Sequence, residues 1–275
     1  MAMTHLPSPG LGTSGNDDPE ECAATVARAL EIGYRHVDTA QMYDNEAAVG
    51  KGLERATAEA GPGGGIPREE VFVASKVHPD TLAHEDVLAT TDRSRERLGV
   101  ETIDLMYVHW PTSAYEPEAT LSAFDELRNA GKIRHVGVSN FTPELLDEAR
   151  EILAAPIVAH QVEMHPYLPQ AELVGYAQRH GHALVAYSPL AQGEVVEDPV
   201  LQEIAEDYDA TPAQVTLAWH QAKETVVPIP KGRGHHVDEN YAAVDIDLDE
   251  DDLERIDAID REKRIVDPDA AAWNR

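Results

Sequence analysis

Apolar positions along the chain gather into short, nearly continuous runs separated by longer stretches with helical spacing. The runs fall at 10–13, 35–39, 71–76, 103–109, 133–139, 157–162, 183–187 and 226–229. Continuous apolar runs, as opposed to strict alternation, are the mark of strands buried on both faces. The intervening stretches at 19–32, 46–58, 85–98, 117–130, 143–153, 170–179 and 212–221 read as helices. Pro19 opens the first and Gly33 stops it, and Gly131 ends the fourth, as helix-terminus chemistry predicts. Eight strands with interposed helices, and no compositional break to serve as a linker, predict an α/β fold with a parallel sheet. Residues 1–275 read as one domain, with a short N-terminal segment and a short C-terminal tail. The pattern alone leaves an open doubly wound sheet in play beside a closed (β/α)8 TIM barrel.

The open-sheet alternative requires a glycine-rich turn leading into the first helix. Gly10-Leu11-Gly12-Thr13-Ser14-Gly15 superficially supplies it, but Asn16-Asp17-Asp18-Pro19 follows. Acidic groups then stand where a pyrophosphate needs a bare helix N-terminus. The second glycine-rich run, 61–65, precedes a strand and reads as a loop. The barrel is the better fit, and barrels place catalytic groups at the C-terminal ends of their strands.

Four residues stand at such ends: Asp38, with Tyr43 five positions on, then Lys76 and His109. A tyrosine donates its proton near neutral pH more readily beside a cation, because the ammonium favours the phenolate. Lys76 is that cation, Asp38 keeps it charged and in place, and His109 polarises a carbonyl oxygen as charge develops there. Each alone has a bland structural role, such as a helix cap or a satisfied loop histidine. Their placement on neighbouring strand ends predicts carbonyl reduction.

Charge and composition sharpen this picture. The formal net charge is −29, from 51 acidic and 22 basic residues, and the lysines are only 51, 76, 132, 223, 231 and 263. An acidic excess spread over most elements reads as a surface built for high salt, where a short Debye length screens self-repulsion. It disfavours nucleic acid and anionic membranes as partners. The single cysteine, Cys22, precludes an internal disulfide, and no apolar run approaches the ~20 residues of a membrane span. A cytoplasmic, halophilic protein is expected. The histidine pairs 160/165, 180/182 and 235/236 lack the ligand set of a zinc site, so no metal is expected.

The strings Gly-Tyr-Arg-His-Val-Asp-Thr-Ala-Gln-Met-Tyr-Asp-Asn-Glu (33–46), Ala-Ser-Lys-Val (74–77) and Asp-Leu-Met-Tyr-Val-His-Trp-Pro (104–111) closely resemble the aldo-keto reductases. So do 131–141, 161–167 and 186–190, and the resemblance covers about 9–273, pointing to the prokaryotic aldehyde and diketogluconate reductase type. It implies a (β/α)8 barrel, NADPH as cofactor with NADH as the alternative, and a small carbonyl substrate. It also implies a monomer. On that resemblance Tyr43 is the general acid, Asp38 and Lys76 tune it, and His109 orients the carbonyl. Ser139, Asn140 and Gln161 match contacts to the nicotinamide carboxamide, and Tyr187 matches the ring stacked on it. Thr13, Asp38, Ser188 and Leu190 match further cofactor contacts, Lys231 the 2′-phosphate contact, and Glu239 and Asn240 the adenine contacts. Where the family carries an arginine this chain has His236, so Arg233 is expected as the phosphate partner. Tyr43, His78, His109 and Trp110 are the expected substrate contacts, and Trp273 is expected to close the site. An NAD-linked sugar or polyol dehydrogenase and a nucleotide-sensing partner subunit are the competing readings.

Overall fold

Eight strands lie close to the expected positions in the computed structural model, which describes residues 5–58 and 65–274. They are β1 (Leu11–Gly12), β2 (His36–Asp38), β3 (Phe72–Val77), β4 (Ile103–Val108), β5 (Ile133–Ser139), β6 (Ile157–Glu163), β7 (Ala183–Tyr187) and β8 (Val226–Pro228). All pair in parallel and in chain order within one α/β domain. The helices are α1 (Pro19–Ile32), α2 (Glu46–Thr57), α3 (His84–Leu98), α4 (Pro117–Asn129), α5 (Pro143–Ile152) and α6 (Ala171–His180). Then come α7 (Pro199–Asp207), α8 (Pro212–Gln221), α9 (His235–Tyr241) and α10 (Glu250–Asp257). None of the described helices is long and apolar enough to cross a membrane. The glycine-rich run at 61–65 lies outside the described residues except for Gly65.

Strand ends differ from the expected ones by at most one residue, and three helices had no expectation at all. The acidic residues 249–252 start a helix: Asp249 caps α10 by accepting from Asp252 N at 2.9 Å, while Ile256 is buried. Asp198 caps α7 through Val200 N and Leu201 N. A carboxylate at an N-terminus satisfies orphan donors and suits the helix dipole, so acid density there favours a helix.

Side chains leave a strand on alternate faces. Val73 and Val77 of β3, with Met106 and Val108 of β4, pack in the large core beneath the helices. Ala74, Leu105 and Tyr107 point the other way, into a smaller cluster with Val158, Ala159, Val185 and Val227. Lys76 has the parity of Ala74 and is paired in register with Tyr107. The alternation therefore turns a fully buried lysine inward, at the C-terminal end of its strand.

Gly33 ends α1 at φ +126°, and a Cβ there would stand 2.2 Å from the Tyr241 hydroxyl of α9. Both the conformation and the close approach demand glycine. Gly33→Ala should destabilise the protein by about 2 kcal/mol or more, read from denaturant unfolding. A variant as stable as the parent would refute that account.

Candidate active site

Asp38, Tyr43, Lys76 and His109 come together at the ends of β2, β3 and β4. The Lys76 ammonium has no exposure and contacts an Asp38 carboxylate oxygen, the Thr39 carbonyl at 2.8 Å and the Tyr43 hydroxyl at 3.3 Å. The other Asp38 oxygen accepts from Gln161 Nε2 at 2.8 Å. Both carboxylate oxygens are thus engaged, and the lysine is directed at the phenol. The Tyr43 and His109 rings meet edge to face, with centroids 5.7 Å apart.

Burial raises the Tyr43 phenol above its ordinary pKa; Lys76 pulls it down and Asp38 pushes it up, with the net direction upward. This corrects the expectation that Lys76 draws the phenol towards neutrality. The reason is desolvation together with Asp38, which offsets much of the ammonium's field at the phenol. Tyr43 is accordingly protonated at neutral pH. Burial opposes the charge on Lys76, yet Asp38 and Tyr43 outweigh it and raise its pKa. Burial, then Lys76 and His78, hold His109 well below the ordinary histidine range. A neutral imidazole therefore stands beside a protonated phenol.

These groups open into a cavity of about 600 Å³. Thr13, Ser139, Asn140, Gln161, Tyr187, Ser188, Leu190 and Lys231 all line it, as do Asp38, Tyr43, His109 and Trp110. Much of the polar lining is cross-linked. Ser139 Oγ donates to Gln161 O at 2.9 Å, and Asn140 Nδ2 donates to the His109 carbonyl at 2.9 Å. Tyr187 Oη donates to Asn140 Oδ1 at 3.0 Å. Asn140 thereby ties β5 to the residue after β4 and to β7. Thr13 Oγ1 donates to Asp38 O at 3.1 Å.

Other expected residues lie off the cavity. His78 uses Nδ1 to accept from Asp80 N at 3.1 Å and is not part of the lining. Arg233 reaches across to the start of α1, where its Nε donates to Asn16 Oδ1 in the preceding loop at 2.8 Å and its Nη1 stands 3.5 Å from Glu21 in the first turn. Glu239 is paired with His236 at 2.8 Å, and Asn240 Nδ2 donates to the Lys231 carbonyl at 3.4 Å. Among the described residues, one group of three candidate metal-ligand atoms occurs, the exposed His235, His236 and Glu239. Trp273 packs on Trp110, with ring centroids 5.8 Å apart. Met42, Gln192, Gly193 and Val266 also line the cavity and were missed. Met42 was discoverable, since it lies between two site residues in one loop. Gln192 sits at φ +55° and Gly193 at φ +96° in an irregular loop, and Val266 lies in a stretch without helix or strand, where periodicity has nothing to read.

Residues 9–261 match the model of the aldo/keto reductase family. The chain is 36% identical over 274 residues to the methylglyoxal reductase DkgB of Salmonella typhi, covering 98% of this chain and 99% of that protein. It is 37% identical over 261 residues to the glyoxal reductase of Bacillus subtilis, covering 94% and 91%. The solved aldose reductase of Giardia lamblia is similar with a TM-score of 0.90 at 28% identity, over 98% of this chain and 97% of that one.

Proposed function

The chain belongs to the aldo/keto reductase family, and from that premise we propose that it reduces small aldehydes and ketones, 1,2-dicarbonyls among them, with NADPH as reductant and Tyr43 as proton donor. The observation that carries the reading is the buried Lys76 ammonium, held by Asp38 and 3.3 Å from the Tyr43 hydroxyl. The substrate class is supported by the relatives named for methylglyoxal and glyoxal.

The cavity fits a nicotinamide dinucleotide in the chemistry of its lining. Amide-reading side chains (Ser139, Asn140, Gln161) and an aromatic face (Tyr187) share it with the cationic Lys231. When bound there, the nicotinamide would supply a hydride to the carbonyl carbon. As negative charge develops on the carbonyl oxygen, neutral His109 donates a hydrogen bond to it and Tyr43 gives up its proton. Lys76 stabilises the phenolate left behind, and Asp38 keeps the lysine charged and aimed. In this reading Lys231 meets the adenosine phosphate, with Arg233 and Asn240 holding the loop around it. The β1 segment also hydrogen-bonds to the end of β8 and just past it, from Gly10 N to Pro228 O and Gly12 N to Pro230 O, both 3.0 Å. Those bonds support closure of the sheet as a (β/α)8 barrel, where Gly12 leaves 2.7 Å between a would-be Cβ and the Ile229 carbonyl. The charge of −29 supports a monomer working in a salt-rich cytoplasm.

The protonated phenol fixes a pH signature. Reduction needs Tyr43 protonated, and its pKa lies above the usual tyrosine value, so kcat for reduction should stay level through neutral pH and fall only in strong alkali. Alcohol oxidation needs the phenolate and should rise steadily with pH. Steady-state rates with methylglyoxal, glyoxal and a simple alcohol, with NADPH, NADH and their oxidised forms, test both points. Absence of carbonyl turnover with either cofactor, at low and molar salt, would overturn the proposal.

A further inference from the structure

The stretch that follows α10 returns to the mouth of the catalytic cavity. Val266 lines that cavity and Trp273 stands against Trp110. Between α10 and a short 3-10 turn at Ala272–Asn274 the chain forms neither helix nor strand, so its path is not set by regular hydrogen bonding. Besides one main-chain bond from Lys263 N to the Tyr167 carbonyl at 2.9 Å, a buried side chain holds it. Glu163, the last residue of β6, accepts from Ile265 N at 2.7 Å with Oε1 and from Val266 N at 2.7 Å with Oε2. Its Oε1 also pairs with His165 Nε2 at 2.8 Å, and neither side chain has any exposure.

A buried carboxylate is costly unless its lone pairs are filled. Here two of the three bonds come from main-chain donors of the tail, about 100 residues away in sequence. Burial pushes the Glu163 carboxyl up, but His165 and the two N–H groups outweigh it and hold it below its ordinary range. The carboxylate is therefore ionised when the tail is seated. A second attachment is weaker: Arg261 and Lys263 pair with Glu194, in the loop after β7, as part-exposed ion pairs that screening weakens.

We propose that Glu163 is a positioning residue that sets the substrate wall. By pinning the main chain at 265–266 it places Val266 in the cavity lining and brings Trp273 onto Trp110. The inference rests on the carbonyl-reductase reading of the cavity. It separates two functions by element, because Asp38 and Lys76 stand on β2 and β3, Tyr43 and His109 follow β2 and β4, and Glu163 lies on β6, which pairs with β5 and β7. Releasing the tail should weaken substrate binding and leave the chemical step intact.

The test uses Glu163→Gln, which keeps the shape of the side chain but turns one acceptor into a donor facing a main-chain N–H. The KM for methylglyoxal should rise by about tenfold, as loss of charge-assisted bonding implies, with kcat and NADPH affinity unchanged. Trypsin should cut faster at Arg261, Lys263 and Arg264 in the folded protein. Ile265→Pro removes one of the two donors from the tail side and leaves the buried carboxylate in place, so it should give the same split even if Glu163→Gln folds poorly. Parental KM and parental trypsin resistance at Arg261 and Lys263 in Ile265→Pro would overturn the proposal, as would a fall in kcat that matches the loss of folded protein; Arg264 is not a site in that variant, because trypsin does not cut before proline. Should the parent reduce no carbonyl at all, the trypsin pattern still decides whether Glu163 holds the tail, which keeps the two failures apart.

Discussion

Tyr43→Phe should lower kcat for carbonyl reduction by about 10³-fold, within the range that a positioned general acid contributes. It should leave NADPH affinity and unfolding temperature close to the parental values. The hydroxyl that is lost lies 3.3 Å from Lys76 Nζ, and Lys76 retains Asp38 and the Thr39 carbonyl as partners. No buried charge is stranded, so the fold loses one hydrogen bond of about 1 kcal/mol at most. The alkoxide formed on reduction then lacks its proton source, because neutral His109 is a poor acid beside a buried ammonium. Single-turnover kinetics with titration of cofactor fluorescence would separate chemistry from binding. Turnover within a few-fold of the parent would remove Tyr43 from the reaction.

Lys76→Met has a different signature, since it damages both folding and chemistry. Lys76 and Asp38 are a fully buried ion pair, with side-chain exposures of 0% and 2%. Removing one member of such a pair strands the other charge and costs about 3–5 kcal/mol. The phenol also loses the cation that stabilises its phenolate, so kcat should fall by about 10²-fold or more in whatever protein folds. The double variant Asp38→Asn/Lys76→Met should recover part of the stability, because the stranded carboxylate becomes a neutral amide that Gln161 still faces. It should recover none of the activity. Denaturant midpoints and kcat measured on the parent and both variants distinguish the two effects; equal stability of the single and double variants would show that the charge is not the cause.

Several features were open to inspection in the residue string. The apolar runs at 133–139 and 183–187 match β5 and β7 as observed, although Arg134 of β5 is exposed, because apolar residues dominate the rest of both strands. Asp38, Lys76 and His109 could be grouped without coordinates, because parallel strands in chain order bring consecutive strand ends together. α9 and α10 were not legible, since short polar helices are held by caps and by packing on their neighbours. Arg233 and His236 could be aligned with a phosphate site by position, but not their partners Asn16 and Glu239, which lie in other loops or one turn away.

The amino-acid order by itself determined the alternation of strands and helices, the family and the identity of the groups that meet at one end of the sheet. Local pattern suffices there, because inward or outward orientation along a strand follows from counting by two. Tertiary structure alone decided the protonation of Tyr43, whose burial outweighs its lysine, and the wall built from Val266, which a glutamate on β6 fixes across 103 positions. Both depend on desolvation and on contacts between segments remote in the chain, and neither quantity has a signature in neighbouring residues.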